Sequence, residues 1–279
     1  MKLFVVGTPI GNLSDISPRA LETLRTVDFI AAEDTRVTLK LLNHFDIKKP
    51  MISYYEHNLR ERGELIVNRI LAGESCAVVT DAGMPCISDP GEDLVRLCAE
   101  QGIPVAVVPG PSAAISALAV SGLITSRFSF EGFLSISKKA RFEHLEEVKT
   151  NPRTLIFYEA PHKLPATLND MLAAFGDRRI ALARELTKVY EEVRRTTLSE
   201  AAAHYAQNPP RGEFVLIIEG APKPEVVEAT LEDAVFVAKR LIQDGVPPSE
   251  AAKRAAKQTG LKRSEIYTRA IGQEEEDTE

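Results

Sequence analysis

The sequence predicts an α/β fold, with two α/β domains at residues 1–122 and 123–221 and a final segment at 222–279 comprising a linker, a helical unit and an acidic tail. Three observations lead to it. In the first half, short apolar runs alternate with helical patterns, as in a parallel sheet with crossover helices. After Ser121-Gly122 the pattern changes: the strand-like runs Arg179 to Leu186 and Tyr190 to Leu198 leave no room for a crossover helix, so they pair antiparallel and the second sheet is mixed. Beyond Pro222 only helical patterns remain.

Taken in order, Lys2 to Val6 is a first strand and Gly7-Thr-Pro-Ile-Gly-Asn-Leu13 the turn after it. That turn is not a dinucleotide fingerprint, because its glycines are four apart with Pro9 between them. Ser17 caps a helix that has Pro18 at its first position and runs through Leu21, Leu24 and Val27. Phe29 to Arg36 reads as a strand ending in polar and charged groups, and helical patterns at Val37 to Phe45 and Leu59 to Leu71 flank a short strand at Met51 to Tyr54. Cys76 to Thr80 and Val105 to Val108 are buried parallel strands. Each runs into a Gly/Pro-rich turn, Asp81-Ala-Gly-Met-Pro-Cys-Ile-Ser-Asp-Pro-Gly91 and Pro109-Gly-Pro-Ser-Ala113, and then into a helix.

Two such turns on strands side by side bring free N–H groups to one cleft at the carboxyl edge of the sheet, where open α/β folds bind ligands. Each residue taken singly has a plainer use. Asp81 caps a turn, Gly83 and Gly91 carry left-handed backbone angles, and Glu33 and Asp34 are acids at a helix start.

In the second domain Phe128 to Leu134 alternates like a strand, Lys138 to Val148 is helical, and Thr154 to Tyr158 is an apolar strand running into Glu159-Ala-Pro-His162. A helix to Phe175, the antiparallel pair and a last strand within Gly212 to Gly220 complete it. Pro222-Lys-Pro224 is the linker. The patterns Leu231 to Gln243, Ser249 to Gln258 and Arg263 to Ile271 then form the helical unit, whose last two helices, joined through Thr259-Gly-Leu-Lys262, fit a helix-turn-helix.

Net charge is −6 and unevenly spread: Lys239 to Gln273 holds eight Lys or Arg against three Asp or Glu, while Glu274 to Glu279 holds five acids. A phosphate-bearing partner is expected to meet the basic stretch, although a dimerisation or packing hairpin with a solvated basic face has the same composition. The cysteines, Cys76, Cys86 and Cys98, lack zinc spacing and an even count, and read as small core residues. The five histidines form no metal pattern, so no metal is expected. No hydrolase elbow or P-loop occurs. By elimination the cleft holds an organic cofactor or a nucleotide-like ligand. Neither a signal pattern nor an apolar run of membrane-spanning length is found, so the expected setting is the cytoplasm, with no membrane partner.

Seven motifs in order narrow this: Val5-Val-Gly-Thr-Pro-Ile-Gly-Asn-Leu13, Ala32-Glu-Asp-Thr-Arg36, Tyr54-Tyr-Glu-His-Asn58, Thr80 to Gly91, Val108-Pro-Gly-Pro-Ser-Ala113, Tyr158-Glu-Ala-Pro-His162 and Ala183-Arg-Glu-Leu-Thr-Lys188. Together they resemble the ribosomal RNA small subunit methyltransferase I family of the tetrapyrrole methylase superfamily, over nearly the whole chain. The resemblance implies a bilobed fold with S-adenosylmethionine between the two α/β domains. It also implies 2′-O-methylation of a cytidine ribose in the decoding region of 16S ribosomal RNA, with the RNA or the small ribosomal subunit as partner, and a homodimer. By motif match the cofactor contacts are Pro9, Asp81, Gly83, Met84, Ile87, Ser112 and Ala113, with Tyr158 and Leu186 from the second domain. Relatives that methylate tetrapyrroles usually have Gly-Asp-Pro where Gly83-Met-Pro85 stands here, and so would present a carboxylate at Met84. Polar groups at strand ends, Glu33, Asp34, Arg36, Glu159, His162 and Lys188, are the catalytic candidates, the base among them left open. Lys253, Arg254, Lys257, Lys262, Arg263 and Arg269 are the candidate RNA contacts. Methylation of a tetrapyrrole precursor is the alternative activity, and a non-catalytic nucleic-acid-binding protein the alternative class.

Overall fold

The computed structural model describes residues 1–222 and 229–272; Lys223 and Pro224 of the expected linker and the acidic tail from Glu274 lie outside them. The chain divides into two compact units, Met1–Pro222 and Lys223–Glu279.

Five strands, β1 (Leu3–Val6), β2 (Phe29–Ala32), β3 (Met51–Ser53), β4 (Cys76–Val79) and β5 (Val105–Val108), form a wholly parallel sheet in the order β3-β2-β4-β1-β5. Both faces of the inner strands are covered, which is why β2 and β4 read as unbroken apolar runs; β5, expected to be buried, is instead an edge strand whose Val105 and Val107 are exposed. On one face Leu3, Val5, Phe29 and Val78 pack against Ile66 and Ile70 of α3 (Leu59–Leu71) and Leu94 of α4 (Glu92–Glu100). On the other, Val6, Ile30 and Val79 meet Leu24 of α1 (Pro18–Thr26) and Leu42 of α2 (Thr35–His44). Ser17 caps α1, its hydroxyl accepting from Ala20 N at 3.1 Å.

Two further expectations need correction. β4 and β5 are not side by side, because β1 lies between them and pairs with both. An apolar run reveals a strand but not its place in the sheet. The strand expected to reach Arg36 stops at Ala32, where Asp34 caps α2 by accepting from Arg36 N at 2.8 Å.

The second sheet, β6 (Phe128–Phe133), β7 (Thr154–Glu159), β8 (Arg179–Arg184), β9 (Glu192–Thr197) and β10 (Phe214–Ile218), runs β6-β7-β10-β8-β9 and is antiparallel except for the β6–β7 pair. One face is covered by α6 (Lys138–Val148), α7 (Leu164–Phe175) and α8 (Leu198–Gln207). The other receives α5 (Ala113–Val120), whose Ala114, Ala117 and Leu118 pack on Ile156, Ala181, Ala183, Val215 and Ile217. α5 follows the first sheet in sequence but buries its small side chains on the second. That packing joins the two sheets in one unit.

In the second unit α9 (Leu231–Gln243), α10 (Pro248–Thr259) and α11 (Arg263–Ile271) pack through buried Ala234, Ala238, Ala252, Ala255, Ile266 and Ala270. Small side chains let the helices approach closely. Thr230 and Asp233 form a capping box on α9, and Gly260, with φ of 74°, ends α10 in the left-handed turn that leads to α11. Among the described residues no helix is long and apolar enough to cross a membrane.

Candidate active site

Three turns, not two, meet at the carboxyl edge of the first sheet, and the one after β1 is central. A Cβ on Gly7 would stand 2.7 Å from Gly110 Cα and 2.7 Å from Met84 Sδ, and one on Gly110 would stand 2.8 Å from Gly7 Cα. Only hydrogen fits at that contact. Thr8 N donates to Gly83 O at 2.9 Å, Gly83 N to Thr8 O at 3.2 Å, and Gly110 N to Met84 Sδ at 3.3 Å. These amides, expected to be free for a ligand, instead lock the three turns together.

A cavity of about 490 Å³ opens beyond this edge, with β7, β8 and β10 supplying the opposite wall. Of the cofactor contacts expected from sequence, Asp81, Gly83, Met84, Ile87, Ser112, Ala113, Tyr158 and Leu186 line it, whereas Pro9 does not and its neighbour Ile10 does. Five non-glycine residues have left-handed φ among the described residues, and four of them are Cys86, Ser88, Glu185 and Thr187, at 72°, 60°, 50° and 64°. They flank Ile87 and Leu186, one on each wall. Strain of this kind persists where the surrounding structure holds it, and it clusters at ligand sites.

Tyr158 ties the walls together. Its hydroxyl accepts from Ala114 N at 3.2 Å, in the first turn of α5, and its ring packs on Phe130 and Phe133 with centroids 5.1 and 5.4 Å away. One donor of the α5 N-terminus is therefore taken by the protein itself.

Of the six catalytic candidates, Glu33, Glu159 and Lys188 line the cavity; Asp34, Arg36 and His162 do not, and all three are polar groups turned elsewhere or exposed. Arg36 pairs with Asp34 at 2.6 Å, and the hydrogen bonds from Arg36 hold the Asp34 carboxyl down at about 2. Glu159 is buried, its carboxylate accepting from Ala160 N at 2.8 Å and Thr167 Oγ1 at 2.5 Å. Lys188 Nζ lies 3.0 Å from Glu185 and 2.8 Å from Glu213. Burial alone favours the neutral amine, but the two carboxylates outweigh it and raise Lys188 above the usual lysine value. The two carboxylates thus favour its cationic form.

The residue that sequence reasoning passed over is Asp89, which stands there only as one residue of the Gly/Pro-rich turn before a helix. It lines the cavity half-buried, and burial, reinforced by the charges of Glu33 and Asp81, pushes its carboxyl up to about 7. Glu33 and Asp81 are themselves raised, chiefly by burial. The two are linked through backbone: Asp81 N donates to Glu33 Oε2 at 3.3 Å and Asp34 N to Asp81 Oδ1 at 3.1 Å. Glu185 and Glu213 were also missed, although Glu185 stands in the same motif as Lys188. The signal available for Asp89 was its place in a Ser-Asp-Pro-Gly turn directly after the Gly83 loop. In all, the lining holds six carboxylates and one lysine, a donor set suited to a cationic ligand. Among the described residues no group of three or more His, Cys, Asp or Glu is placed to hold a metal ion.

The family described as Tetrapyrrole (Corrin/Porphyrin) Methylases matches residues 2–202, and the RsmI C-terminal HTH domain matches residues 228–274. Proteins named ribosomal RNA small subunit methyltransferase I are 47% identical in Synechocystis (95% of each chain covered), 48% in Xylella fastidiosa (95% of this chain, 97% of the other) and 46% in Pseudomonas aeruginosa (96% of each). Among solved structures, uroporphyrin-III C-methyltransferase from Thermus thermophilus, in complex with S-adenosylhomocysteine, is similar with a TM-score of 0.57 at 18% identity, over 78% of this chain and 97% of that one. Diphthine synthase is similar with a TM-score of 0.60 at 14% identity, over 78% and 89%. Three locked turns of a parallel sheet, a cleft closed by a second sheet, a helix-turn-helix unit and identity of nearly half the residues along the whole chain agree on one assignment: the protein belongs to the ribosomal RNA small subunit methyltransferase I family, built on the tetrapyrrole methylase fold.

Proposed function

We propose that the protein transfers a methyl group from S-adenosylmethionine to the 2′-hydroxyl of a cytidine in the decoding region of 16S ribosomal RNA. The observation that carries this reading is the near-full-length identity to the small-subunit ribosomal RNA methyltransferases. The cleft supports it separately, because its carboxylates suit a sulfonium cation while Ile10, Met84, Ile87, Phe133 and Leu186 offer apolar surface to an adenosine. Asp81, Gly83, Met84, Ile87, Ser112, Ala113, Tyr158 and Leu186 are the proposed cofactor contacts, with Ile10 in the place expected for Pro9. When bound, S-adenosylmethionine supplies a methyl that is already activated. The protein must then place a ribose oxygen in line, exclude water and accept one proton. Asp89 is the proposed acceptor, since a carboxyl near 7 is matched to a neutral working pH. Lys188, held between Glu185 and Glu213, faces the RNA backbone as a point charge.

Methylation of a tetrapyrrole is the weaker alternative: the solved uroporphyrin-III methyltransferase shares only 18% identity, which carries the fold alone. Small ribosomal subunits incubated with labelled S-adenosylmethionine should gain label in RNA, at one ribose resistant to alkaline cleavage. Label on a porphyrin precursor and none on RNA would overturn the proposal.

The six candidate RNA contacts are all exposed. Lys253 and Arg254 lie 3.8 and 3.3 Å from Glu250, Lys262 lies 3.5 Å from Glu265, and Arg263 donates to Ser249 Oγ at 2.7 Å. Lys257 and Arg269 have no such partner among the described residues. Lys257→Ala and Arg269→Ala should each weaken RNA binding and reduce the slope of log affinity against log salt by about 1. An unchanged slope in a salt titration would remove that residue from the interface. The reading also includes a homodimer, which sedimentation equilibrium tests directly, and a cytoplasmic setting among ribosomes.

A further inference from the structure

Apart from Met1, the three most exposed large apolar side chains of residues 1–222 are Val189 at 93%, Ile136 at 80% and Tyr190 at 73%. All three lie within three residues of a cavity-lining residue in the chain. Val189 and Tyr190 directly follow Lys188, and Ile136 lies three residues beyond Phe133, both of which line the cavity. Two residues of chain reach at most about 7 Å, so the Tyr190 backbone lies within that distance of the cavity-lining Lys188.

The loop that carries Val189 and Tyr190 is fastened from several directions. Lys188 N donates to Glu185 O at 3.0 Å, Glu191 N to Lys188 O at 3.1 Å and Thr187 N to Glu191 Oε2 at 2.6 Å. From the other wall, Asn12 N donates to Thr187 Oγ1 at 3.1 Å. A loop pinned this way holds its tip in solvent by construction. Among the described residues no hydrogen bond, ion pair or ring contact engages Tyr190. The contrast is with Tyr158, which is locked by Ala114 and two phenylalanine rings.

We infer that Tyr190 is a stacking platform for an unpaired RNA base next to the target nucleotide, with Val189 and Ile136 adding apolar rim. This rests on RNA being the substrate. A ribose can present its 2′-hydroxyl inside the cleft only if its nucleotide leaves the helical stack, and the neighbouring base then loses a stacking partner. An aromatic ring on a preorganised loop replaces that partner at little entropic cost, whatever the identity of the base.

The test compares Tyr190→Ala, Tyr190→Phe and Tyr190→Trp by methyl transfer to protein-free small-subunit RNA and to assembled subunits, with S-adenosylmethionine affinity and Tm measured alongside. Tyr190→Ala should raise KM roughly tenfold for each of the two substrates that the wild type methylates, the loss expected for one stacked base. Cofactor affinity and Tm should stay at wild-type values, and Phe and Trp should restore KM. A wild-type KM for Tyr190→Ala would overturn the inference, as would Phe failing to restore it. Where the wild type methylates both substrates, a rise in KM confined to assembled subunits would overturn it in favour of a ribosomal protein as the contact. Wild-type protein that methylates neither substrate would overturn the RNA reading itself, a failure visible before any variant is compared.

Discussion

Gly110→Ala is expected to lower stability and cofactor affinity together. The added Cβ would lie 2.8 Å from Gly7 Cα and C and 2.9 Å from Gly7 O, which are backbone atoms that no rotamer change can move aside. The turns after β1 and β5 must separate, and the Gly110 N to Met84 Sδ contact goes with them. Overpacking of this kind costs about 1–3 kcal/mol, read as a fall in Tm of several degrees. Because Ser112 and Ala113 follow Gly110 by two and three residues and line the cavity, the same displacement should weaken S-adenosylmethionine binding about tenfold or more. Calorimetry and thermal unfolding read the two effects separately, and unchanged values in both would show that the turns have slack. Gly83 is required for a different reason. A Cβ there would meet Ile10 Cγ2 at an ordinary 3.4 Å, so it is the φ of 88°, not crowding, that selects glycine.

Asp89→Asn is expected to remove most of the activity while making the unliganded protein more stable above neutral pH. As a general base Asp89 contributes on the order of 10²- to 10⁴-fold to turnover. The kcat/KM of the wild type should rise with pH to a plateau above about 7, the value to which burial and the Glu33 and Asp81 charges push this carboxyl. In the asparagine variant the profile should flatten. The bound cation favours the carboxylate form, so the break in kcat should fall at lower pH than the break in kcat/KM.

Stability runs the other way. The carboxyl titrates near its ordinary 3.8 when unfolded and near 7 when folded, so its favourable contribution is full below about 4 and lost as pH rises through about 7. Above that range the folded protein carries a half-buried charge that the unfolded chain solvates freely. Asparagine relieves this, by about 1 kcal/mol once solvent screening is allowed for, or about 2–4 °C in Tm near pH 8. A variant that keeps wild-type turnover with a pH break near 7 would exclude Asp89 as the base.

Much of the first sheet was legible in the sequence because its signals are local. Val- and Ile-rich runs mark strands, Ser17-Pro18 marks a helix start, and Gly83 with Gly91 marks backbone of positive φ. The wall of the cleft from Asp81 to Ile87 follows from the same loop. For Asp34 and Arg36 the sequence was ambiguous, because a short stretch of polar residues after a strand looks alike whether it faces a ligand or caps a helix; the structure shows the cap, with Arg36 N donating to Asp34 at 2.8 Å, and places neither side chain in the cavity lining.

By itself, then, the sequence determined which segments are strands and helices, where the glycine turns fall, and, through seven ordered motifs, the family. Only the tertiary structure decided that β1 separates β4 from β5, that α5 buries itself on the second sheet, and that Asp89 comes close enough to Glu33 and Asp81 to have its proton affinity changed. The physical reason is range. Backbone propensity and hydrophobic period act over a few residues, whereas the charge state of a carboxylate depends on burial and on groups that meet it only after folding; Glu33 and Asp89 stand 56 positions apart in the chain.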